Sequence, residues 1–403
     1  MKKLIALLMV LCMVVGLCAC GEQSGTTADT AKEDTTTTEK SGDTVRIGIF
    51  QPASGDNGAP GKQETLGSQY ANVIQPTVDI GGKTYNVELV IVDNESSNDK
   101  AVSAAQSLVS SKVSVVLGSY GSGVSIAGAD VFGNAGIPVI GVSCTNPQVT
   151  AGNDFYFRVC FLDPFQGTVL ANLAVDQYKA DKAYVLTKLG DDYSVGVGNY
   201  FKKAFEDKGG TCVVETFQEG NSDFTSYITK AKNEGCNICV APISVEAAAL
   251  FLDQAATQDI GMPILAGDTF DNNVVAAAAK GTNLDIYCST FYAAGGNPEF
   301  DKSFQEWMES DSTALANNGG NTTIAACSVL GYDAYFVALE ALKAAGSTEP
   351  ADVKAALPGV KYDGVTGHIE FDEIGDAIRD TAFVKHLNTE TGEYELFGEQ
   401  KVQ

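Results

Sequence analysis

Histidine and tryptophan are almost absent from this sequence, and positive charge is scarce. The 403 residues include two histidines, one tryptophan and 26 lysine or arginine residues against 51 acidic ones, for a formal net charge of −25. An acidic field of this size repels nucleic acid and anionic lipid headgroups, so we expect neither as a partner. Both histidines, His368 and His386, lie near the C-terminus, and the sequence contains no G-x-S-x-G or H-E-x-x-H motif. The sequence therefore predicts a protein that is not an enzyme.

No apolar run is long enough for a transmembrane helix, which needs about 20 residues. The apolar stretch 4–15 follows Lys2 and Lys3, as is typical of a bacterial export signal. The stretch leads into Leu17-Cys18-Ala19-Cys20, which resembles the lipobox of bacterial lipoproteins, where the cysteine after the cleavage site carries lipid. We expect residues 1–19 to be a signal peptide and Cys20 to be lipidated. The alternative is a plain signal peptide with an incidental cysteine.

Large apolar residues are also nearly missing from the segment that follows. Residues 20–44 are rich in threonine, serine, glycine and acidic residues, and such a segment cannot bury enough surface to offset the entropy of ordering. We therefore predict a disordered, lipid-anchored linker. With the export signal, it predicts a protein held at the extracytoplasmic face of the cell membrane, and we expect a Gram-positive bacterium as the source.

Disulfide pairing is not indicated, although the sequence has ten cysteines. Three of them belong to the predicted signal and its cleavage site, and the other seven are an odd number in a large exported domain. Cys236 and Cys239 form a C-x-x-C motif, but the motif runs into an apolar segment that is typical of a strand. A redox motif of this kind opens a helix instead. We expect most of these cysteines to pack as small apolar side chains.

Short apolar runs alternate with helical patterns from Val45 onward. This alternation predicts an α/β fold with parallel sheets that are covered by helices on both faces. The rhythm starts again near Ala183, which predicts two doubly wound halves of similar size. The predicted strands are 45–50, 87–92, 113–117 and 137–142 in the first half and 183–187, 211–217, 237–241 and 264–267 in the second.

The loops after these strands are the candidate site, because ligands of open α/β sheets bind beyond the carboxyl ends of the strands. A glycine-rich turn before a helix presents free backbone N–H groups, and it favours an anion. Each loop also has a purely structural interpretation as a turn or helix cap, with Ser122, Ser194 or Asp271 as the capping residue. The candidate loops are 118–123, 143–147, 190–196 and 267–271.

Several short motifs, taken in order, resemble the extracytoplasmic solute-binding proteins of ABC importers for branched-chain amino acids, the leucine/isoleucine/valine-binding type. The resemblance covers residues 45 to about 380. It implies a type I periplasmic binding protein fold, in which a hinge of three crossings joins two lobes near 160–164, 289–292 and 362–367. It places residues 45–162 with 290–362 in lobe 1 and 163–289 with 363–403 in lobe 2. The motifs are Ile47–Gly55, Asp93–Glu95, Gly118–Gly123, Gly136–Ile140, Ser143–Pro147, Phe157–Val159, Gln166–Gly167, Gly367–Asp372 and Gly375–Asp376.

The resemblance also implies the ligand contacts. In such proteins the glycine-rich loop and the next strand-end loop bind the carboxylate of an amino acid, and here those positions are Ser122, Ser143 and Thr145. A second-lobe acid binds the ammonium group, and a second-lobe tyrosine covers the ligand; the matching residues are Asp268 and Tyr193.

Two further strand-end aromatics, Tyr120 and Phe50, complete the predicted set. The sequence departs from the family pattern near Ile243-Ser244, where an aromatic wall is replaced by smaller side chains. It departs again at Tyr120-Gly121, where some relatives carry one cysteine of a disulfide.

The resulting prediction is a monomeric binding protein, without cofactor or metal, that captures a branched-chain or other small amino acid and delivers it to an ABC permease. Two alternatives remain open at this point. The ligand is an amide, urea or an aromatic acid instead of an amino acid, or the protein is a sensor that passes its signal to a receptor partner.

Overall fold

The computed structural model of the protein describes residues 42–401. The predicted signal peptide, the predicted lipidation site Cys20 and nearly all of the predicted linker lie outside the described residues. Within the described range, no helix combines the length and the apolar character needed to cross a bilayer.

The first sheet is formed by the N-terminal part of the described chain. Its elements are β1 (Thr44–Gln51), α1 (Gly58–Ile74), β2 (Thr77–Ile80), β3 (Lys83–Asp93), α2 (Asn98–Ser110), β4 (Val115–Leu117), α3 (Ser122–Ala135), β5 (Val139–Gly141) and β6 (Tyr156–Arg158). The strand order is β2-β3-β1-β4-β5-β6, and all neighbours are parallel except β2 and β3. Ile47 and Ile49 of β1 are fully buried, as expected when helices cover both faces of a parallel sheet.

The second sheet begins after the first crossing of the hinge. Its elements are α4 (Asp163–Asp176), β7 (Lys182–Lys188), α5 (Asp192–Asp207), β8 (Thr211–Phe217), α6 (Thr225–Asn233), β9 (Ile238–Val240), α7 (Val245–Thr257), β10 (Ile264–Ala266), α8 (Asn273–Ala279) and β11 (Ile286–Thr290). Strands β7 to β11 are parallel to one another. The structure thus confirms the predicted α/β architecture with two parallel sheets.

The chain then returns to the first lobe before it completes the second sheet. The remaining elements are α9 (Pro298–Ser310), α10 (Ser312–Asn317), α11 (Ala326–Ala345), α12 (Pro350–Ala356), β12 (Lys361–Gly364), β13 (Gly367–Glu370), β14 (Thr381–Asn388) and β15 (Glu393–Lys401). Helix α11 packs closely on α1, since a Cβ added to Gly67 of α1 would meet the Ser328 backbone of α11. Strands β14 and β15 add an antiparallel edge, giving the order β15-β14-β11-β10-β9-β7-β8.

The segment from the third crossing (362–367) to Asp376 contacts the first lobe at two places. Asp333 of α11 accepts hydrogen bonds from the backbone N–H of Val365 and Thr366 at 2.9 and 2.8 Å. Arg158, at the end of β6, is fully buried and pairs with Asp376 at 2.5 Å. The family resemblance predicts that residues 363–403 belong to the second lobe. These contacts lead us to propose that the second lobe resumes only near β14.

All seven cysteines among the described residues are free thiols, and six of them are buried. Cys239 lies within β9, so the C-x-x-C motif runs into a strand as the sequence indicated.

Candidate functional site

The glycine-rich turn after β4 presents the start of α3 to the cleft between the lobes. Gly121 precedes the helix with φ 104°, a conformation that only glycine adopts without strain, and it occupies the N-cap position. Ser122 is therefore the first helical residue and not the cap. Its side chain is buried, and its hydroxyl oxygen accepts the backbone N–H of Asn146 at 3.1 Å. The hydroxyl hydrogen of Ser122 stays available for a ligand.

The loop after β5 contributes Ser143 and Thr145, which the sequence predicted. Both side chains are buried, with exposed fractions of 4% and 0%. The Thr145 hydroxyl makes no hydrogen bond of normal geometry with any described residue, although it lies close enough to the Asp163 carboxyl group to lower the pKa of that group. Because a buried hydroxyl without a partner is costly, this atom is a good candidate to bind a ligand oxygen. The Ser143 hydroxyl instead forms a hydrogen bond with Glu64.

Glu64 of α1 was not predicted from the sequence. Its side chain is fully buried, and its two oxygens accept hydrogen bonds from Gln51 and Ser143. Burial raises the pKa of Glu64 from 4.5 to about 8, and the two donors only partly offset this effect. The available signal was Gly67 and Ser68 one turn further along the helix, because small residues there mark a closely packed helix face.

Tyr120 faces the interior of the cleft, whereas Phe50 does not. Burial raises the pKa of Tyr120 well above its ordinary value, and the neighbouring carboxyl group of Asp268 raises it further. Phe50 is buried in the core of the first lobe, where it packs edge to face on Phe132 with ring centroids 5.4 Å apart. Successive strand residues point to opposite faces, so Gln51 and not Phe50 points toward Glu64. The prediction that Phe50 lines the site is wrong for this reason.

The second lobe supplies Asp268 and Tyr193, which the structure brings together. The Tyr193 hydroxyl donates to Oδ1 of Asp268 at 3.0 Å, and the Gln166 side-chain amide donates to the same oxygen at 2.8 Å. The Asp268 backbone N–H returns a hydrogen bond to Gln166 at 3.1 Å. Within the described chain no hydrogen bond reaches Oδ2 of Asp268, so this oxygen is free to accept one from a ligand.

The pKa of Asp268 is raised from 3.8 to about 6. Burial is the main cause, and the hydrogen bonds from Gln166 and Tyr193 lower the pKa again in part. The carboxyl group is therefore mainly ionised at neutral pH, as the binding of a cation requires.

Asp163, another residue that the sequence analysis missed, lies beside Thr145 at the first crossing. Its backbone N–H donates to the Thr145 carbonyl at 3.0 Å, and its side chain is fully buried. Neither carboxyl oxygen has a hydrogen-bond partner among the described residues. Burial raises the pKa of Asp163 well above its ordinary value, so the group favours its neutral form. The sequence feature that could have identified Asp163 is its position directly before Pro164, since proline is common in the first turn of a helix.

Two predicted helix caps are assigned to other residues by the structure. Asp191, not Ser194, caps α5 by accepting the Ser194 backbone N–H at 2.7 Å. Asn272, not Asp271, caps α8, while Asp271 pairs with Lys385 and accepts the Thr290 hydroxyl. In both cases the residue predicted as the cap binds another partner: Ser194 accepts the backbone N–H of Lys188, and Asp271 is held by Lys385 and Thr290.

The two lobes touch around the rim of the cleft. The Asn146 side-chain amide donates to the Asp192 carbonyl at 2.7 Å, across from lobe 1 to lobe 2. Asn272 donates to Gln63 of α1 at 2.6 Å. Lys188, at the end of β7, pairs with Asp56 of the first lobe at 2.5 Å. These contacts hold the two lobes together across the cleft, so the structure represents a closed arrangement.

A model of the family described as "Periplasmic binding protein" matches residues 44–391. The chain belongs to this family. A Leu/Ile/Val-binding protein homolog from Brucella abortus is 30% identical over 339 residues, which span 82% of this chain and 87% of the relative.

Two solved structures support the same assignment for this periplasmic binding protein. A leucine-binding protein from Thermotoga maritima has a TM-score of 0.77 and 31% identity, and the match covers 89% of this chain and 99% of that one. A branched-chain amino acid transporter substrate-binding protein from Streptococcus pneumoniae, in complex with isoleucine, has a TM-score of 0.76 and 27% identity, with coverage of 89% and 99%. The family consists of solute-binding proteins of ABC transporters, so the chain is a substrate-binding protein of type I fold and not an enzyme.

Proposed function

We propose that the protein binds an amino acid in the cleft between its lobes and delivers it to an ABC permease. One observation carries the proposal: one wall of the cleft favours a negatively charged group, and the other wall favours a positively charged one. The first lobe offers a helix N-terminus and the unpartnered Thr145 hydroxyl, and the second offers the free Oδ2 of Asp268. A zwitterion with a carboxylate at one end and an ammonium group at the other satisfies both walls.

The carboxylate end of the ligand is assigned to the first lobe. The backbone N–H groups at the start of α3 have no partner within the helix, and the helix dipole favours negative charge there. Ser122 and Thr145 add hydroxyl donors, and the buried guanidinium of Arg158, which donates to the Cys144 and Asn146 carbonyls of the same loop, adds positive charge behind this wall. An anion held this way needs no direct contact with a lysine or arginine.

The ammonium end is assigned to Asp268. Tyr193 and Gln166 fix one carboxyl oxygen, so the other is held in a defined direction without losing its capacity to accept. Enclosure of the pair in a closed cleft strengthens the interaction because water is excluded.

We infer a branched-chain or other small amino acid as the ligand. The aromatic position of the family is replaced here by Ile243, which packs in the apolar core of the second lobe, and by Ser244, whose buried hydroxyl has no partner among the described residues. Two of the similar proteins are described as binding leucine or as a complex with isoleucine, which supports the same class.

The proposal also includes lipid attachment at Cys20 and a tether of residues 21–44. Its support is the sequence alone: the export signal, the lipobox-like run and a segment poor in large apolar residues. Such a tether would hold the binding protein near the permease that receives the solute, on the extracytoplasmic face of the membrane.

A thermal-shift screen tests the ligand class directly. We expect one or a few L-amino acids to raise the melting temperature, because binding to the folded state alone stabilises it. A screen in which only amides, urea or aromatic acids raise the melting temperature would contradict the proposal.

A further inference from the structure

Glu64 connects three of the loops that form the first-lobe wall. One of its oxygens accepts a hydrogen bond from the side-chain amide of Gln51, and the other shares a hydrogen bond with the hydroxyl of Ser143. The Gln51 carbonyl in turn accepts the backbone N–H of Tyr120 at 2.7 Å. A single buried carboxyl group thereby links the ends of β1, β4 and β5.

The orientation of Gln51 is fixed by this network. Its carbonyl oxygen must face the Tyr120 N–H, so its NH₂ group must face Glu64. A proton on the Glu64 oxygen that faces Gln51 would point at the Gln51 NH₂ group, so two donors would face each other without an acceptor. If Glu64 carries a proton, it must therefore lie on the oxygen that faces Ser143.

The two protonation states of Glu64 leave Ser143 with different tasks. When Glu64 is a carboxylate, Ser143 has to donate its only hydrogen to it. When Glu64 is neutral, the carboxyl O–H donates to the Ser143 oxygen, and the serine hydrogen is released. No other acceptor for this hydrogen is found among the described residues, so it points to the ligand.

We propose that Glu64 acts as a positioning residue in its neutral form, donating to Ser143 so that Ser143 can donate to the ligand carboxylate. The inference rests on the proposed function, because it requires an anionic group on the first-lobe wall. It makes the affinity for the ligand depend on pH through a residue that does not itself touch the ligand.

The surroundings of Glu64 favour the neutral form. The titratable groups that face it are Asp268 across the cleft, Tyr120, Cys144, Tyr156 and Cys327, and none of them is a cation. No salt bridge reaches Glu64 within the described residues. Its burial and the nearby Asp268 both raise its pKa, which agrees with the proposal.

The first test compares the binding of L-leucine to the wild type, Glu64→Gln and Ser143→Ala by calorimetry from about pH 7 to about pH 9.5. A glutamine at position 64 can accept from Gln51 and donate to Ser143, so it imitates neutral Glu64 at every pH. As the pH rises over this range, we expect the affinity of the wild type for L-leucine to fall about three- to tenfold more than the affinity of Glu64→Gln. This difference is the effect of one hydrogen bond. Titration of the ligand ammonium and of Asp268 is common to all three proteins and cancels in the comparison.

Ser143→Ala should bind L-leucine more weakly at pH 7 and lose the extra fall at high pH. This variant carries the comparison even if Glu64→Gln does not fold. If Glu64 has only a structural role, the pH profiles of affinity should be parallel for the wild type and the variants. Parallel profiles for the wild type and either variant would therefore overturn the proposal.

The second test needs no ligand. The infrared difference spectrum between the unliganded wild type and Glu64→Gln, or Glu64→Asp if that variant fails to fold, should contain a protonated carboxyl band at pH 7. Absence of this band would overturn the inference whether or not L-leucine binds. If the band is present and no amino acid binds, the proposed function fails while the protonation of Glu64 stands.

Discussion

At the scale of single residues, the site depends on polar groups that are buried yet incompletely paired. Asp268 has one oxygen engaged by Tyr193 and Gln166, and its other oxygen receives no hydrogen bond from residues 42–401. Thr145 has a buried hydroxyl that makes no regular hydrogen bond within the same range. Unsatisfied buried groups cost stability, and a ligand that satisfies them recovers that cost as affinity.

Asp268→Asn should weaken the binding of an amino acid by about 1.5–3 kcal/mol, roughly 10- to 150-fold, since it removes a hydrogen bond to a charged group. Calorimetry with L-leucine measures the change. The exposed Asp253 on α7 gives a matched control, Asp253→Asn, which should leave the affinity unchanged. Equal affinities of wild type and Asp268→Asn would refute the assignment of the ammonium site.

The pH dependence of stability should also depend on Glu64. Its pKa is about 8 in the folded protein and 4.5 ordinarily, so between these values the folded state retains a proton that the unfolded state has lost. Stability should therefore fall as pH rises through this window and level off above it. Glu64→Gln should reduce the fall between pH 6 and pH 8 by roughly 2 kcal/mol, measured by urea unfolding. The same slope in both proteins would show that Glu64 has an ordinary pKa.

At the scale of elements, the start of α3 carries the largest share of the proposed anion site. Gly121 sets its position with φ 104° and ψ 117°, a conformation that disfavours every residue with a Cβ atom. The same helix ends at another glycine of positive φ, Gly136, with φ 73°. The two ends of one helix therefore offer a matched pair of substitutions.

Gly121→Ala should destabilise the protein by about 1–2 kcal/mol and also weaken L-leucine binding several-fold, since relief of the strain moves Ser122. Gly136→Ala should cost similar stability without a change in affinity, because it lies at the far end of the helix. Thermal unfolding and calorimetry on both variants check the pair. Equal effects of the two variants on affinity would show that the helix start does not bind the ligand.

The success of sequence reasoning differed among the elements for physical reasons. Strand β8 was predicted with its observed bounds, Thr211–Phe217, because short apolar runs mark parallel strands well. The antiparallel strands β2, β14 and β15 were missed. Strands β2 and β15 lie at sheet edges, and β14 lies between β15 and the parallel strands. The alternation in β15 is weak because most of its side chains are exposed.

The candidate site was predictable only where a residue follows a strand. Ser122, Thr145 and Asp268 stand at such positions, whereas Glu64 and Gln166 lie inside helices. A polar residue within a helix is ordinarily predicted to face solvent. Glu64 is buried by the contact of α1 with α11, and Gln166 by the contact of α4 with β10, and the sequence alone does not show these contacts.

At the scale of the whole molecule, contacts across the rim hold the lobes together. Lys188 of the second lobe is 10% exposed and pairs with Asp56 of the first lobe and with Glu219 of the second. The backbone N–H of Glu246, at the start of α7, also donates to the Asp56 carbonyl at 3.3 Å. The segment around Asp56 is thus held from two sides when the cleft is closed.

Lys188→Met should favour the open arrangement and weaken L-leucine binding by about 1 kcal/mol, a value reduced for the partial exposure of Asp56. Small-angle scattering should show a larger radius of gyration for the unliganded variant than for the unliganded wild type. Lys182→Met removes a similar pair within the second lobe, Lys182–Glu234, and should change neither quantity. A radius equal to that of the wild type would exclude the role of this ion pair in closure.

The central claim, that the cleft reads both ends of an amino acid, is tested most directly by comparing L-leucine with L-leucinamide in the same calorimetric titration. The two ligands share the ammonium group and side chain and differ in the negative charge that the start of α3, Ser122 and Thr145 are proposed to bind. The account predicts saturable one-to-one binding of L-leucine and binding of the amide that is weaker by at least about tenfold. Equal binding of both compounds, or binding of the amide alone, would contradict it.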